Sequence, residues 1–93
     1  MARTPVSEDP EVQRLRMEIA DRDRAILAAV NDRVRLVAEL KRYKERLGVA
    51  FADPEQERRL LARLAEANRG PLSDAGVREL FEAILALTKR DLA

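Results

Sequence analysis

The feature that most constrains this chain is a long stretch without a helix breaker, from Glu11 to Leu47. No Pro or Gly interrupts it, and its length of about 37 residues is far above the roughly 11–12 residues of an average helix. Asp9 and Pro10 are residue types that typically begin a helix, and Gly48 is a typical C-terminal stop. The sequence therefore predicts one helix of roughly 55 Å, at about 1.5 Å per residue.

Two shorter helices are predicted after the long one. Asp53-Pro54 repeats the start signal, and Gln56 stands at the third helical position, as in a capping box. This helix is expected to run to about Arg69. Ser73 is the expected N-cap of a last helix that continues to the C-terminus. Because no segment alternates in the manner of a strand, the predicted fold class is all-α, with one long helix plus two shorter helices.

An apolar stripe runs along the predicted long helix, mostly at three- and four-residue steps. Its members are Val12, Leu15, Ile19, Ile26, Val30, Val37, Leu40 and Leu47. The two shorter helices of one chain cannot cover a helix of this length, whereas a second long helix lying alongside would do so. The stripe therefore predicts an intertwined helical homodimer.

Composition sets the broad class of the chain. Its 93 residues fit one domain, with residues 1–8 expected to form a flexible N-terminal tail and residues 9–93 the helical domain. The formal net charge is +1, from 18 basic and 17 acidic residues. Because the signs are interspersed, neither nucleic acid nor a membrane is an expected partner. With no signal-peptide core at the N-terminus, the expected location is cytoplasmic.

The chain contains no Cys and no His. Disulfides, thiol nucleophiles, imidazole bases and the usual zinc ligands are therefore excluded, and we expect neither a metal nor a cofactor. Any enzyme built from this sequence has to rely on carboxylates, hydroxyls, amides, Lys and Arg.

Two cations, Arg33 and Lys44, fall on or beside the apolar stripe. They are eleven positions apart, and this separation turns about 1,100°, or three turns plus roughly 20°, so both lie on one face of the helix. Buried cations are costly unless paired, and the two side chains could close on a small anion. The alternative is that they lie at the edge of the stripe and reach water. Nearby Lys41, Arg42 and Arg46 are expected to form a solvated face.

Further candidates lie on the shorter helices and near the start of the long one. Asp53 is expected to cap its helix whatever its second role. Glu57, four residues later, is a candidate for an inward site or an exposed first-turn acid favoured by the helix dipole. Thr88 is expected on the inner side of the last helix, bonded to a carbonyl one turn back. Arg16 could reach Lys44 only from an antiparallel partner; the alternative is an exposed Arg beside Glu18.

Taken together, these residues resemble the all-helical class of chorismate mutases. The matching set is Leu15, Arg16, Glu18, Ile19, Asp23, Ile26, Leu27, Arg33, Leu36, Val37, Lys44, Asp53, Pro54, Glu57, Leu60 and Leu61. The likeness extends from about Val12 to Leu87, including the Gly70-Pro71-Leu72-Ser73 turn. No single piece is diagnostic. The Arg–Arg–Lys spacing in one unbroken helix, followed by Asp-Pro and Glu, is fairly specific as a set.

The resemblance implies an interlocked dimer that rearranges chorismate to prephenate in aromatic amino-acid biosynthesis. Each site would be completed by the partner subunit, from which Arg16 would reach a substrate carboxylate. Arg33 would hold a carboxylate within its own chain, and Lys44 would contact a carboxylate and the ether oxygen of the breaking bond. Asp53 and Glu57 would serve the ring hydroxyl, and Thr88 would lie near a carboxylate.

Two positions depart from the family pattern. Gln56 stands where an Arg is usual, and Leu92 stands where a Gln or Glu is frequent near the ether oxygen. Arg59 and Lys89 are candidate substitutes for the missing groups. These departures leave open an isochorismate-pyruvate lyase or an aminochorismate mutase on the same scaffold. A non-catalytic helical dimer that regulates a partner enzyme of the same pathway is a further alternative.

The reaction that the resemblance implies suits a chain without His or Cys. It is pericyclic, so it needs no nucleophile, proton transfer or metal. The enzyme has to hold a dianion in a folded conformation and meet the charge that develops on the ether oxygen with a fixed donor. Arg forks suit carboxylates, and Lys suits a point of developing charge. The candidate catalytic residues that the resemblance implies are Arg16, Arg33, Lys44 and Glu57, with Asp53, Gln56 and Thr88 as further substrate-binding candidates.

Overall fold

The computed structural model describes residues 5–93, and every regular element in that range is helical. A single 3₁₀ turn, Val6–Glu8, precedes three α-helices: α1, Pro10–Leu47; α2, Pro54–Ala67; and α3, Asp74–Asp91. The prediction of one long helix plus two shorter helices is confirmed. Of the expected N-terminal tail, residues 1–4 lie outside the described range.

The chain divides into two compact units, and the boundary lies within α1, between Arg33 and Val34. We call residues 5–33 the N-terminal unit and residues 34–93 the C-terminal unit. The N-terminal unit contains the first part of α1. The C-terminal unit contains the last part of α1 with α2 and α3.

The start of α1 is fixed by Asp9. Its Oδ1 accepts hydrogen bonds from the backbone N–H groups of Glu11, at 2.9 Å, and Val12, at 3.2 Å. These two N–H groups have no acceptor within the helix, so the carboxylate satisfies donors that would otherwise be left to water. Pro10 lacks an N–H, which makes it well suited to the first helical position. The predicted start is confirmed.

The end of α1 is a Schellman motif around Gly48, whose φ of 71° is readily adopted only by glycine. The Gly48 N–H donates to the carbonyl of Glu45, and the Val49 N–H donates to the carbonyl of Lys44, each at 3.1 Å. These bonds satisfy the last carbonyls of the helix. The predicted stop after Leu47 is confirmed, and the chain turns sharply just beyond Lys44.

Helix α2 begins at the predicted residue. Oδ1 of Asp53 accepts a hydrogen bond from the Gln56 N–H at 3.1 Å, and Pro54 follows the cap directly. The reciprocal half of a capping box would be a bond from the Gln56 side chain to the Asp53 N–H. Instead, Oε1 of Gln56 accepts a hydrogen bond from Nη2 of Arg59 at 3.4 Å.

Helix α2 ends at Ala67, two residues before the predicted Arg69. The reason is the side chain of Asn68, which bonds to the connection that follows it. Its Nδ2 donates to the Leu72 carbonyl at 2.6 Å and to Oδ1 of Asp74 at 3.0 Å, and its Oδ1 accepts from the Gly70 N–H at 3.0 Å. Asn68 therefore adopts an extended conformation and ends the helix.

Helix α3 begins with the predicted cap, because Oγ of Ser73 accepts a hydrogen bond from the Gly76 N–H at 2.9 Å. Helices α2 and α3 contact each other within the C-terminal unit. Val77 and Thr88 of α3 are buried, and the apolar side chains around them are half-buried. The half-buried set is Leu60, Leu61, Leu64, Phe81, Ile84 and Leu85. This small core fixes α3 against α2 and so positions the polar groups between them.

In the N-terminal unit, the apolar stripe of α1 is largely exposed in the single chain. Leu15, Ile19 and Ile26 have 45%, 59% and 60% of their surface accessible, and Val12 and Val30 are half-buried. Large apolar side chains on one face of a helix ordinarily lie against another element. Within residues 5–33 this unit has only the helix and the short turn before it.

Candidate active site

Lys44 lies in the last turn of α1 and is half-buried. Because the chain reverses at Gly48, Phe51 returns beside it. Nζ of Lys44 donates a hydrogen bond to the Phe51 carbonyl at 3.2 Å and lies 5.9 Å from the centroid of the Phe51 ring. The main-chain acceptor and the negative face of the ring both attract the ammonium group. The side chain is therefore held in position rather than free in solvent.

Lys41, one turn before Lys44, contacts the same ring. Its Nζ lies 6.0 Å from the Phe51 centroid and donates a hydrogen bond to the carbonyl of Leu92, at the C-terminal end of α3. The expectation that Lys41 belongs to a solvated face is wrong, because this contact half-buries it. A cation at the C-terminus of a helix is favoured by unsatisfied carbonyls there. Lys41 thus connects α1 to the end of α3.

Glu57, in the first turn of α2, forms an ion pair with a residue of another helix. Its Oε1 lies 2.7 Å from Nζ of Lys89 in α3. The Glu57 side chain is 31% exposed and the Lys89 side chain 54% exposed. Glu57 is therefore a partly inward, half-buried carboxylate rather than an exposed first-turn acid. Of the two candidate substitutes, Lys89 is the one that contacts a predicted site residue of another helix.

Asp53, Gln56 and Arg59 interact locally in the first turns of α2. Asp53 is exposed and caps the helix through Oδ1. Gln56 is exposed and bonds to Arg59, whose Nη1 also lies 3.6 Å from Oε1 of Glu55. The guanidinium of Arg59 is thus engaged by an amide and a carboxylate of its own helix.

Thr88 is one of the most buried polar residues described, with 5% of its surface exposed. Its Oγ1 donates a hydrogen bond to the Ile84 carbonyl at 2.7 Å, as predicted for a Thr at this position. The hydroxyl proton is therefore used within α3. The oxygen of Thr88 keeps a lone pair that can accept a further hydrogen bond.

Arg33, the last residue of the N-terminal unit, is half-buried. Its Nη1 is shielded from solvent and has no hydrogen-bond partner among residues 5–93. A shielded guanidinium nitrogen without an acceptor costs free energy, because it has lost water and gained nothing in exchange. An Arg in this condition is suited to receive an anionic group.

Arg16, in the N-terminal unit, is exposed. The carboxylate expected beside it, Glu18, instead accepts a hydrogen bond from Nη1 of Arg14 at 3.0 Å. Glu11 also bonds to Arg14, which holds the pKa of Glu11 below its ordinary value. The acids nearest in sequence are thus paired with Arg14, and Arg16 keeps its positive charge open to solvent.

Within the C-terminal unit, two predicted site residues contact partners that the sequence did not predict. Lys44 is joined to Phe51, and Glu57 to Lys89. No hydrogen bond or ion pair joins Lys44 to Glu57 or Asp53 in residues 34–93. Phe51 and Lys41 were missed by sequence reasoning. The sequence did contain a signal for this contact. Phe51 is an isolated aromatic residue three positions after Gly48, and Lys41 and Lys44 lie one helical turn apart just before that glycine.

In residues 5–93, no group of three or more His, Cys, Asp or Glu side chains could hold a metal ion. None of the described helices has the length and apolar character required to cross a membrane.

Comparison with known proteins places the chain among enzymes of one family. Residues 15–91 match the sequence profile of the family described as Chorismate mutase type II. A curated relative, the bifunctional chorismate mutase/prephenate dehydratase of Stutzerimonas stutzeri, is 30% identical over 87% of this chain. The chain spans only 24% of that relative's length.

Two solved structures of chorismate mutase from Thermus thermophilus have a similar fold. The form II structure has a TM-score of 0.83 and 36% identity, covering 86% of this chain and 91% of the other. The form I structure has a TM-score of 0.82 and 37% identity, covering 84% and 98%. Since the family profile matches most of the helical domain, the chain belongs to the chorismate mutase type II family, a family of isomerases that convert chorismate to prephenate.

Proposed function

We propose that this chorismate mutase works by orientation and electrostatic stabilisation, with Arg16, Arg33, Lys44 and Glu57 as its catalytic residues. In the reaction, the ether C–O bond breaks while a C–C bond forms, and negative charge develops on the ether oxygen. The protein has to hold the dianion with its side chain folded over the ring and supply a positive group to that oxygen. Neither task requires a cofactor or a metal.

The observation that carries the proposal is the shielded, unpartnered Nη1 of Arg33. A nitrogen in this state is rare in folded proteins, and a ligand carboxylate is the natural acceptor for it. An Arg fork can bind both oxygens of a carboxylate, which would fix one end of the dianion. Arg33 is accordingly assigned to a substrate carboxylate.

Lys44 is assigned to the ether oxygen and the neighbouring carboxylate. Its support is the fixed position of Nζ beside Phe51, because a donor that is already oriented costs no reorganisation during the reaction. The ammonium group has three donors, and the Phe51 carbonyl uses one of them. Two donors remain for the substrate.

The ring hydroxyl is assigned to Glu57 and Asp53 at the start of α2. Glu57 is partly inward, and a carboxylate can accept a hydrogen bond from a hydroxyl. Gln56 and Thr88 are assigned as further substrate-binding residues, with Thr88 near a carboxylate. Since Gln56 is neutral and exposed, its contribution is expected to be small.

Arg16 is assigned to the active site of a partner subunit in an intertwined homodimer. Two observations support this assignment: Arg16 is exposed with its neighbouring acids paired elsewhere, and the apolar stripe of the same unit is exposed. A second copy would cover Leu15, Ile19 and Ile26 and receive Arg16.

The proposal also includes a cytoplasmic location and a possible partner enzyme of the same pathway.

The test is to add the purified chain to chorismate and identify the product by chromatography and mass spectrometry. Formation of prephenate supports the proposal. Pyruvate with salicylate from isochorismate would favour the lyase alternative, and an amino product from aminochorismate would favour the aminochorismate mutase. A folded dimer that neither binds nor converts any of these compounds would favour the regulatory alternative.

A further inference from the structure

The ion pair between Lys89 and Glu57 is unlike the other ion pairs found in residues 5–93. Pairs such as Arg14 with Glu18 and Arg58 with Glu55 lie within one helix, whereas Lys89 and Glu57 join α3 to α2. Both residues belong to the C-terminal unit, where α2 and α3 pack together. The pair therefore depends on the tertiary fold and fixes a carboxylate relative to both helices.

The contact uses one oxygen of Glu57 and leaves the other available. Nζ of Lys89 lies 2.7 Å from Oε1, and Oε2 has no hydrogen-bond partner among residues 34–93. An ionised carboxylate can accept bonds at both oxygens. Glu57 is thus an acceptor that is oriented on one side and open on the other, which suits it to bind the hydroxyl of a ligand.

The end of α3 that carries Lys89 is itself held in place. Thr88, the preceding residue, is buried and bonded to Ile84, and Lys41 of α1 bonds to the Leu92 carbonyl three residues further on. A lysine on a frayed helix end would move with that end and could not hold the Glu57 carboxylate in one orientation. These contacts give Lys89 a fixed base from which to reach Glu57.

We infer that Lys89 is a positioning residue of the active site, which orients the Glu57 carboxylate so that its second oxygen accepts the ring hydroxyl of the substrate. Lys89 also places a positive charge next to Glu57, which keeps this carboxylate paired before a ligand arrives. This inference rests on the proposed role of Glu57. Lys89 itself need not touch the substrate.

The experiment compares full-length Lys89→Met and Lys89→Arg with the unmodified chain by steady-state kinetics and by calorimetric titration with chorismate. Lys89→Met should raise KM by about two- to fivefold, the range that corresponds to an ion pair of this exposure. Lys89→Arg should restore KM, because it can bind the same carboxylate oxygen. Arg90→Met is the matched control: it removes a positive charge at the next position, where Arg90 pairs with Asp91, and should leave KM unchanged.

A double-mutant cycle with Glu57→Gln separates positioning from a structural or direct role. If Lys89 acts through Glu57, Lys89→Met should change KM by less than about 1.5-fold in the Glu57→Gln background. An equal effect in both backgrounds would overturn the inference, as would an unchanged KM in Lys89→Met. Thermal unfolding of every variant identifies an effect caused by loss of structure.

The two proposals fail in different ways. If the unmodified chain binds chorismate without forming prephenate, the proposed function fails, and the calorimetric affinities still test Lys89. If the chain forms prephenate and Lys89→Met behaves like Arg90→Met, the function stands and the role of Lys89 is rejected. If chorismate is not bound at all, both are rejected.

Discussion

The two units of this chain stabilise their side chains in different ways. In the C-terminal unit, contacts cross between elements: Lys41 reaches the end of α3, Glu57 binds Lys89, and Thr88 is buried. In the N-terminal unit, ion pairs such as Arg14 with Glu18 stay within one helix, and apolar residues such as Ile26 are exposed. One unit has buried residues of its own, whereas the apolar stripe of the other has nothing to cover it within residues 5–33.

The largest expected effect is the loss of the proposed dimer when a charge enters the exposed stripe. In Ile26→Asp, an uncompensated carboxylate would be buried in each copy, at about 3–5 kcal/mol per site. Sedimentation analysis should change from twice the 10.6 kDa chain mass to the mass of a single or unfolded chain, with loss of activity.

Ala28→Asp is the matched control for Ile26→Asp. It introduces the same charge about 200° further round the helix, away from the stripe. This variant should remain a dimer. If Ile26→Asp also remains a fully active dimer, the N-terminal unit does not depend on a second copy, and the contrast between the units has another cause.

The next largest effect concerns the C-terminal unit, where Lys44 is held beside Phe51. Lys44→Ala should lower kcat by about 100- to 1,000-fold, the typical result of removing one preorganised donor. The far-ultraviolet circular dichroism should be unchanged, because the Gly48 motif that ends α1 uses main-chain groups. Arg42→Ala, which removes an exposed cation of the same helix, should have little effect. A near-normal kcat in folded Lys44→Ala would reject the role of this lysine.

Helix ends could be predicted from the sequence wherever local chemistry decides them. Asp9, Gly48, Asp53 and Ser73 each satisfy unpaired backbone groups within three residues, and all four were placed correctly. The end of α2 was placed two residues late. The side chain of Asn68 bonds to the connection between α2 and α3, and helix propensities do not predict such a bond.

The site could be predicted only in part, for a related reason. The polar types and their positions on α1 and α2 follow from spacing, and the hydrogen bond of Thr88 follows from the ordinary behaviour of Thr in helices. The partners of Lys41 and Glu57 cannot be predicted from spacing. Leu92 and Lys89 are distant from them in the sequence and meet them only through tertiary packing. Local patterns predict which groups are available; packing decides which of them meet.

A smaller effect tests whether the N-terminal unit of one copy serves the site of another. Arg16→Ala and Lys44→Ala should each be nearly inactive alone. If Arg16 acts in the partner subunit, a heterodimer of the two contains one site with both defects and one intact site. An equal mixture should then recover about a quarter of the normal activity after complete exchange. No recovery, with exchange verified by native mass spectrometry, would place Arg16 outside the partner's site.

A modest effect is expected from the ring of Phe51, which lies against both Lys41 and Lys44. Phe51→Leu keeps the carbonyl that binds Lys44 and removes the ring, so kcat should fall by about two- to fivefold. Phe51→Tyr keeps a ring and should retain the rate. If Phe51→Leu is as active as Phe51→Tyr, the carbonyl alone holds the lysine.

The smallest effect concerns the ion pairs within the N-terminal unit. The hydrogen bond from Arg14 holds the pKa of Glu11 below its ordinary value of 4.5, so the pair stabilises the helix above that pH. Its contribution is lost as the pH falls through the lowered pKa of the folded state. Because both side chains are exposed, Arg14→Gln should lower Tm at neutral pH by no more than about 2 °C. The difference between the two proteins should narrow in acid, where Glu11 is protonated in both. A loss of stability as large as that of Ile26→Asp would mean that this unit is stabilised by its own charges, and the apolar stripe would no longer require a second copy.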